Sequence, residues 1–424
     1  MDEKITILRR YNLWNAHSFD FGFWRTEYTN KLLDYTGNRL IKVLIGQRRA
    51  GKSYILRQVA KQLIENGIPS QNTLFINREL TDFDFIKSYK ELDELIKLYK
   101  SELAPIGKIY IFIDEIQLID SWEKVINSYS QDYTADYEIF ISGSNSKMLS
   151  GELATLLSGR YVCFNVFPYS YSEYLSITNR KQGKQSYVEY MNNGGLPELF
   201  SLPEKLDIRR NYMSAIKDTI LLRDIIQRYN IREPKLLEDI FIFLVNNASN
   251  LISINNITKY FKGQGRKASY DIISAYIRYI EDSFLIHRCE RYDIKGKDTL
   301  SGNAKFYIND LAYKNYLYPG YGYGIGYSVE NLVYLELLRA GYEVYTGNVK
   351  DKEVDFVAQK TGDTIYVQCT YILAEESTIE REFSALEAIN DHFKKFVVSL
   401  DDITLPVRNG IKHIQAWNLR SELK

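Results

Sequence analysis

The sequence predicts an α/β protein whose first domain is built on a parallel sheet. Between residues 38 and 170, short apolar segments alternate with segments of helical periodicity. This alternation is typical of a parallel sheet with helices on both faces. The segment "RLIKVLIG" is apolar almost throughout, as expected for a strand buried on both sides. The segment "KSYILRQVAKQLIEN" after it has helical spacing and ends at Gly67, with Pro69 beyond.

The pattern along the 424 residues divides the chain into further regions. Residues 1–37 are an aromatic and polar lead-in without clear periodicity, and residues 38–170 form the α/β domain. Residues 171–235 are predicted to be mostly helical. Residues 236–320 predict a small helical domain that ends in strands. Residues 321–424 predict a small α/β domain that begins with the amphipathic helix "SVENLVYLELLRAG".

Composition excludes several classes of protein. The 54 basic residues balance the 54 acidic ones, so any surface that binds nucleic acid must be local. No apolar run reaches the ~18 residues of a membrane span, and the N-terminus lacks a signal-peptide pattern. The three cysteines and four histidines are scattered, which argues against disulfides and a zinc site. We therefore expect a cytoplasmic protein without a membrane partner; the oligomeric state stays open.

A phosphate-binding loop follows the first predicted strand. The segment "GQRRAGKS" matches GxxxxGK[ST] in full, and its glycines allow backbone N–H groups to turn toward phosphate oxygens. Lys52 is expected to reach the β- and γ-phosphates, and the Ser53 hydroxyl to ligate Mg²⁺. The helix after the loop directs its positive end at the same anion. The predicted nucleotide-binding residues are Gly46, Gln47, Arg48, Arg49, Ala50, Gly51, Lys52, Ser53 and Tyr54.

Two carboxylates end a later apolar strand, "IYIFIDEIQ". Asp114 suits an outer-sphere role at Mg²⁺. Glu115 suits a base that orients the attacking water. Because nucleotide binding alone does not require a positioned base, Glu115 favours hydrolysis.

A third strand, "YEIFISGSNSKML", ends in polar residues. ATPases with a glutamate after the magnesium aspartate usually insert a strand between the loop strand and the acid strand. The tip of that strand carries a residue that senses the γ-phosphate, for which we nominate Asn145, with Ser144 as the alternative. Arg160 in "LLSGRY" is a candidate for stabilising the transferred phosphoryl group, within its own chain or across a subunit contact. A surface or structural arginine is the alternative.

The segments "GQRRAGKS", "FIDEIQ", "SGSNSKMLSGELATLLSGRY" and "FPYSYSEYL", in this order, resemble a bacterial and archaeal family of AAA-type P-loop ATPases. The resemblance continues through "GGLPE", "DIIQRYNI" and "KEVDFVAQ" and covers most of the chain. It implies ATP binding with Mg²⁺ and hydrolysis, without a particular substrate. It also implies a C-terminal domain of uncharacterised function that is similar to restriction-endonuclease folds.

The region from "SINNITKYF" to "RYDIKGKD" predicts a helix, a turn, a second helix and a two-stranded wing. Winged-helix proteins place the second helix in the major groove and the wing on the backbone. The second helix here also carries acidic residues, so a structural or oligomerising role is the alternative to DNA contact. The candidate nucleic-acid contacts are Lys262, Arg266, Lys267, Lys295 and Lys297.

Endonucleases of the implied C-terminal fold use a helix carboxylate and a D…(E/Q)xK motif across a hairpin. The matching positions here are Glu330, Asp355, Gln368 and Thr370. Thr370 stands where the lysine should be, and its hydroxyl cannot activate water as an ammonium can. We therefore expect a vestigial nuclease-like site, unless a lysine from elsewhere, such as Lys350 or Lys352, takes the role.

These observations predict an ATP-hydrolysing protein whose nucleotide cycle acts on nucleic acid or on a protein partner. One alternative is a nucleotide-gated signalling or defence regulator with little turnover. The other is an ATP-dependent nuclease.

Overall fold

The chain forms two units, Met1–Val166 and Phe167–Lys424. The computed structural model describes four stretches of it, residues 3–15, 19–144, 155–319 and 324–423. Within these stretches, no helix combines the length and the apolar character that a membrane crossing requires.

Five parallel strands form the sheet of the first unit, in the order β2-β3-β4-β1-β5. Every residue of the first four strands is buried, as expected when both faces of a parallel sheet are covered. The predicted parallel sheet is therefore confirmed. The strands are β1 Ile41–Ile45, β2 Thr73–Asn77, β3 Ile109–Asp114, β4 Tyr137–Gly143 and β5 Tyr161–Asn165.

The helices of the first unit begin and end at residues suited to those positions. Ser88 and Glu91 form a capping box at the start of α4. Gly67, with a φ of +97°, follows the end of α3, as the sequence predicts. The helices are α1 Glu3–Tyr11, α2 Thr26–Asp34, α3 Lys52–Glu65, α4 Tyr89–Leu103 and α5 Glu123–Ser130.

The lead-in, where the sequence shows no clear periodicity, contains α1 and α2 and completes an edge of the sheet. The Asn12 side chain accepts from the Phe75 N–H at 2.6 Å and donates to the Phe75 carbonyl at 3.0 Å. The indole of Trp14 donates to the Thr73 carbonyl at 2.6 Å. Because β2 is an edge strand, these side chains satisfy backbone groups that would otherwise lack a partner.

An eight-stranded mixed sheet lies in the second unit, in the order β13-β12-β11-β10-β9-β7-β8-β6. Strands β9, β10 and β11 pair antiparallel, and β11, β12 and β13 pair parallel. The strands are β6 Ile252–Ser253, β7 Ile286–Asp293, β8 Asp298–Ile308, β9 Glu343–Val349, β10 Lys352–Lys360, β11 Asp363–Cys369, β12 Lys394–Ser399 and β13 Ile411–Gln415.

Helices make up most of residues 171–235, as the sequence predicts, and two π-helical segments, Ile220–Gln227 and Tyr313–Leu317, occur in this unit. Helix α10, helix α11 and the β7–β8 hairpin follow one another in the order predicted from the segment that runs from Ser253 to Asp298. The helices are α6 Tyr171–Thr178, α7 Lys184–Asn193, α8 Leu206–Thr219, α9 Pro234–Asn246, α10 Ile254–Gly263, α11 Tyr270–Asp282, α12 Ile325–Arg339, α13 Glu376–Glu387 and α14 Leu419–Glu422.

The eight-stranded sheet crosses the predicted domain boundary between residues 236–320 and 321–424. Residues Arg291–Asp293 of β7 pair in parallel with Thr346–Asn348 of β9, so strands from both regions share one sheet. This pairing joins segments far apart in the chain, and local periodicity carries no signal for it.

Candidate functional site

The loop between β1 and α3 is shaped by two glycines. Gly46 has a φ of +152°, and a Cβ at this position would lie 2.2 Å from the Val166 carbonyl oxygen. Gly51 has a φ of +97° and immediately precedes α3. A side chain at Gly46 would force the loop away from the sheet, since no backbone atom tolerates that approach. The structure therefore explains both glycines of the predicted phosphate loop.

Lys52 begins α3, is buried, and donates from Nζ to the carbonyls of Gly46 at 2.9 Å and Gln47 at 3.0 Å. Its ammonium thus lies against the loop. Ser53 follows as the second residue of the helix and is half-buried. The exposed Tyr54 directs its hydroxyl at Asp20 of the lead-in, 3.5 Å away.

The residues inside the loop differ in their surroundings. Gln47 and Ala50 are buried. Arg48 forms an ion pair with Glu79, which lies just beyond the end of β2. Arg49 is exposed and has a φ of +67°. Contact of these side chains with a nucleotide stays a prediction.

Asp114 is the last residue of β3 and is fully buried. The Ser142 hydroxyl donates to its Oδ1, whereas its Oδ2 is buried without a hydrogen-bond partner. A buried carboxylate oxygen without a partner is costly and is a suitable ligand for water on Mg²⁺. The residue therefore fits the magnesium role that the sequence predicts.

Glu115 is buried beside Asp114 and has a left-handed backbone, with a φ of +54°. Its Oε2 accepts from the Ser144 hydroxyl at 3.2 Å and from the Gln117 amide. Burial raises the pKa of the Glu115 carboxyl, the charge of Lys52 opposes this shift, and the charge of Asp114 adds to it. These charge effects indicate that the loop lysine and the two acids share one electrostatic environment.

Strand β4 lies between the loop strand β1 and the acid strand β3, which confirms the predicted inserted strand. Ser142 near its end bonds Asp114, and Ser144 just beyond it bonds Glu115. The nominated sensor Asn145 lies outside the described residues. Ser144, the alternative, donates a hydrogen bond to Glu115. Its role as the γ-phosphate sensor stays a prediction.

The geometry does not favour the candidate role of Arg160 within its own chain. Its backbone carbonyl accepts from the N–H of Ile41 at 2.9 Å, and Ile41 is the first residue of β1. The phosphate loop follows the last residue, Ile45, so about 13 Å separate the two ends of this strand at ~3.3 Å per residue. Because β5 runs parallel to β1, the start of β5 lies at the end of the strands that is opposite the phosphate loop. A role across a subunit contact stays a prediction.

Arg25 is a site residue that no sequence motif reveals. It is buried, and its Nη1 donates to the Ala50 carbonyl inside the loop at 2.9 Å. Gln58 of α3 accepts from the Arg25 N–H at 3.0 Å and donates to the carbonyls of Phe21 and Phe23. The lead-in therefore stabilises the phosphate loop through its contacts with Ala50 and with Gln58 of α3. The only signal in the sequence is a single arginine within the aromatic segment "FGFWRTEY".

Three of the four candidate nuclease-like residues in the second unit are linked by hydrogen bonds. Glu330 of α12 and Asp355 of β10 are both bonded to the same ammonium, and the Gln368 side chain accepts from the Asp355 N–H at 3.2 Å. Thr370 follows β11 and is buried, with its N–H bonded to the Val398 carbonyl. The ammonium belongs to Lys305 of β8, which the sequence analysis does not single out. A lysine within the apolar "AKFYI" is the signal that could have found it.

All five candidate nucleic-acid contacts are exposed. Arg266 differs from the other four because it forms an ion pair with Asp239 of α9. The other four are Lys262 in the last turn of α10, Lys267 in the α10–α11 connection, and Lys295 and Lys297 in the β7–β8 turn.

Comparisons with known proteins agree with the geometry of the first unit. A family model described as an AAA domain matches residues 38–175, and a domain of unknown function (DUF8612) matches residues 184–320. An uncharacterised protein of Haemophilus influenzae is 34% identical over 88% of this chain and 92% of its own length. The chain belongs to a family of AAA-domain proteins. An uncharacterised member from Methanocaldococcus jannaschii is 31% identical over 87% of this chain and 81% of its own.

Solved structures resemble this AAA-domain protein more distantly. The Aeropyrum pernix ORC1 protein, solved in complex with DNA, shares 12% identity with a TM-score of 0.35, over 70% of this chain and 92% of its own. The Thermotoga maritima RuvB Holliday junction branch migration motor shares 13% with a TM-score of 0.33, over 63% and 90%. At these scores the resemblance carries no functional conclusion.

Proposed function

We propose that this AAA-domain protein binds ATP with Mg²⁺ and hydrolyses it. The observation that carries the proposal is the grouping of the buried Glu115 with Asp114, Ser142 and Ser144 at the end of β3 and β4, where the charge of Lys52 acts on the same carboxyl. A loop that only held phosphate would need no second buried acid. The nucleotide cycle then acts on a nucleic acid or on a protein partner.

Each residue has a separate task in this proposal. The Lys52 ammonium binds the β- and γ-phosphates in place of the Gly46 and Gln47 carbonyls it contacts. Ser53 and Asp114 would hold Mg²⁺, which neutralises part of the phosphate charge when bound. The Asp114 Oδ2 without a partner supports this assignment.

Glu115 orients the attacking water and takes up its proton. Its raised pKa makes the carboxylate a stronger base than an exposed glutamate would be. Ser144 and Gln117 hold the carboxylate in place, which reduces the cost of orienting it when ATP binds. In this proposal, the γ-phosphate of bound ATP alters the hydrogen bond between Ser144 and Glu115.

A nucleic-acid partner is favoured by the second unit. We propose that α10, α11 and the β7–β8 hairpin form a winged helix that contacts phosphates through Lys262, Lys267, Lys295 and Lys297. Their exposure supports this role, since long exposed cations can reach a nucleic-acid backbone. Arg266 drops out of the contact set because Asp239 already neutralises it.

The test compares phosphate release by the wild type, Lys52→Ala and Glu115→Gln, with nucleotide binding measured in parallel. Lys52→Ala should weaken ATP binding. Glu115→Gln should bind ATP as the wild type does and lose about 100-fold or more in turnover, since only the base is removed. Glu102→Gln, an exposed glutamate at the end of α4, is the matched control and should be fully active.

Two results would reject the proposal in different ways. Wild-type turnover by Glu115→Gln would show that Glu115 is not the base. Tight ATP binding by the wild type, without turnover in the presence or absence of DNA and RNA, would favour the nucleotide-gated regulator.

A further inference from the structure

A buried lysine lies among three carboxylates in the second unit. The Lys305 Nζ is 2.8 Å from Glu330 Oε1, 2.8 Å from Glu353 Oε1 and 3.3 Å from Asp355 Oδ1. Lys305, Glu330 and Asp355 are 3%, 6% and 7% exposed. An ammonium has three N–H donors, and each of them has a carboxylate within reach. We call these four residues the Lys305 cluster.

The Lys305 cluster occupies the positions at which a nuclease-like fold would hold a divalent cation. Glu330 is on the long helix α12, Asp355 is on β10, and Gln368 is on the neighbouring strand β11. A divalent cation would need oxygens from these side chains, so their present partners decide whether such an ion fits.

Those oxygens are already engaged by partners within the chain. Glu330 Oε1 accepts from Lys305 and from the Tyr307 hydroxyl at 2.7 Å. Asp355 Oδ1 faces Lys305, and its Oδ2 accepts from the Cys369 N–H at 2.8 Å. The Gln368 side-chain oxygen accepts from the Asp355 N–H. The residues therefore do not fit a divalent cation.

The lysines considered from the sequence do not enter the cluster. Lys352 donates to the Ser384 carbonyl at 3.4 Å, and Lys350 is exposed in the β9–β10 turn. Burial opposes the charge of Lys305, but Asp355, Glu330 and Glu353 outweigh it and hold the pKa of Lys305 well above its ordinary value. Lys305 is therefore a permanent cation within the pH range of a cell.

We propose that the Lys305 ammonium takes the place of the divalent cation, so that the C-terminal site is a closed ion network that neither holds Mg²⁺ nor cuts nucleic acid. The network links β8 to α12 and to β10, two elements that lie further along the chain. All four residues belong to the second unit, whereas the phosphate loop belongs to the first. Three carboxylates around one ammonium also leave the cluster able to accept a divalent cation once the lysine is removed.

The test measures Mn²⁺ binding to the full-length protein without nucleotide, by electron paramagnetic resonance of the free ion. Any Mn²⁺ binding by the wild type should be unchanged in the Asp355→Asn variant. Lys305→Met should gain one site per chain, at least about tenfold tighter than any wild-type binding. Its unfolding temperature should rise with Mn²⁺ while that of the wild type does not. Adding Asp355→Asn to Lys305→Met should remove the gained site.

Lys352→Met is the matched control, because it removes a lysine of β10 outside the cluster and should gain no site. If Lys305→Met does not fold, Glu353→Gln is added to it, because this change leaves one fewer carboxylate without a cation. Mn²⁺ binding and the unfolding temperature are then measured on the double variant. A wild-type Mn²⁺ site that is lost in Asp355→Asn would overturn the proposal. A folded lysine variant that gains no site would overturn it as well. Failure of the ATPase proposal would change none of these readouts.

Discussion

At the scale of single residues, the buried carboxylates Asp114 and Glu115 of the first unit differ in their hydrogen-bond partners. Asp114 has one oxygen bonded to Ser142 and one without a partner, whereas Glu115 is held by Ser144 and Gln117. The sequence predicts both acids from their place after an apolar strand. The hydroxyls that distinguish them come from β4 and the residue after it, which only strand pairing brings alongside.

Arg25→Ala should impair the phosphate loop without removing a residue that contacts phosphate. The guanidinium supports the Ala50 carbonyl, and its loss leaves a buried acceptor that costs about 1–3 kcal/mol. We expect KM for ATP to rise by about tenfold while kcat changes less, because the loop is less well ordered before ATP binds. Steady-state kinetics measure this split.

The control for Arg25→Ala is Arg10→Ala, which removes an exposed arginine of the same lead-in and should leave both constants unchanged. A lower unfolding temperature of Arg25→Ala with unchanged KM would mean that the arginine is structural only.

At the scale of elements, the "GGLPE" segment of the sequence has a packing role. The Asp310 carboxylate accepts from the Gly195 N–H and the Ala312 N–H, both at 2.8 Å. It thereby joins the end of α7 to the segment after β8. Gly194 has a φ of +77°, and a Cβ there would lie 2.1 Å from Asp310 Oδ1.

Gly194→Ala should therefore destabilise the second unit by about 3 kcal/mol or more, from backbone strain together with overlap with Asp310. Urea unfolding measures the change. The control is Gly263→Ala, since a Cβ at Gly263 meets nothing within 4 Å. Equal stability of the two variants would show that α7 and the Asp310 segment separate without cost.

Helix α12 shows how an element can differ from its sequence pattern. The sequence predicts an amphipathic helix, but nine consecutive residues, Val329–Leu337, are buried. Glu330 and Glu336 are among them and are paired with Lys305 and Arg339. The charges that suggested a solvent-facing side are instead neutralised inside the unit.

At the scale of the whole molecule, the zero net charge means that any nucleic-acid binding must come from local cations. Replacing Lys262 and Lys267 together by glutamine should weaken binding to duplexes of every sequence tested and reduce the salt dependence of binding by about two phosphate contacts. Fluorescence anisotropy at several salt concentrations measures both effects.

Arg266→Gln is the control for the two lysines and should weaken binding much less, because Asp239 already pairs with Arg266. Duplex affinity at low salt that the double lysine variant leaves unchanged would exclude this surface.

The stability of the second unit should depend on pH. Burial raises the pKa of Glu281 to about 7 and of Asp310 to about 6. In the unfolded chain these groups release their protons near pH 4. Between these limits the folded unit holds more protons than the unfolded chain, so its free energy of unfolding falls as pH rises.

We expect this free energy to be lower at pH 8.5 than at pH 6 by roughly 2 kcal/mol. Urea unfolding followed by hydrogen exchange of peptides from the second unit measures it. Glu281→Gln, which replaces a carboxyl whose Oε1 is buried without a partner, should show a smaller dependence on pH. A free energy that rises with pH would contradict the protonation of these groups.

The sequence by itself determined what depends on neighbours along the chain. The phosphate loop, the acid pair, the buried strands and the helix–turn–helix–hairpin order all follow from local spacing, because glycine conformation, strand burial and helix periodicity act over a few residues. Only the tertiary structure decided that Arg160 precedes β5 at the end of the sheet opposite the phosphate loop, that Arg25 supports the loop, and that Lys305 neutralises Glu330 and Asp355. Each of these depends on the pairing of distant strands or on the packing of the lead-in and α12, for which a single sequence carries no distance information.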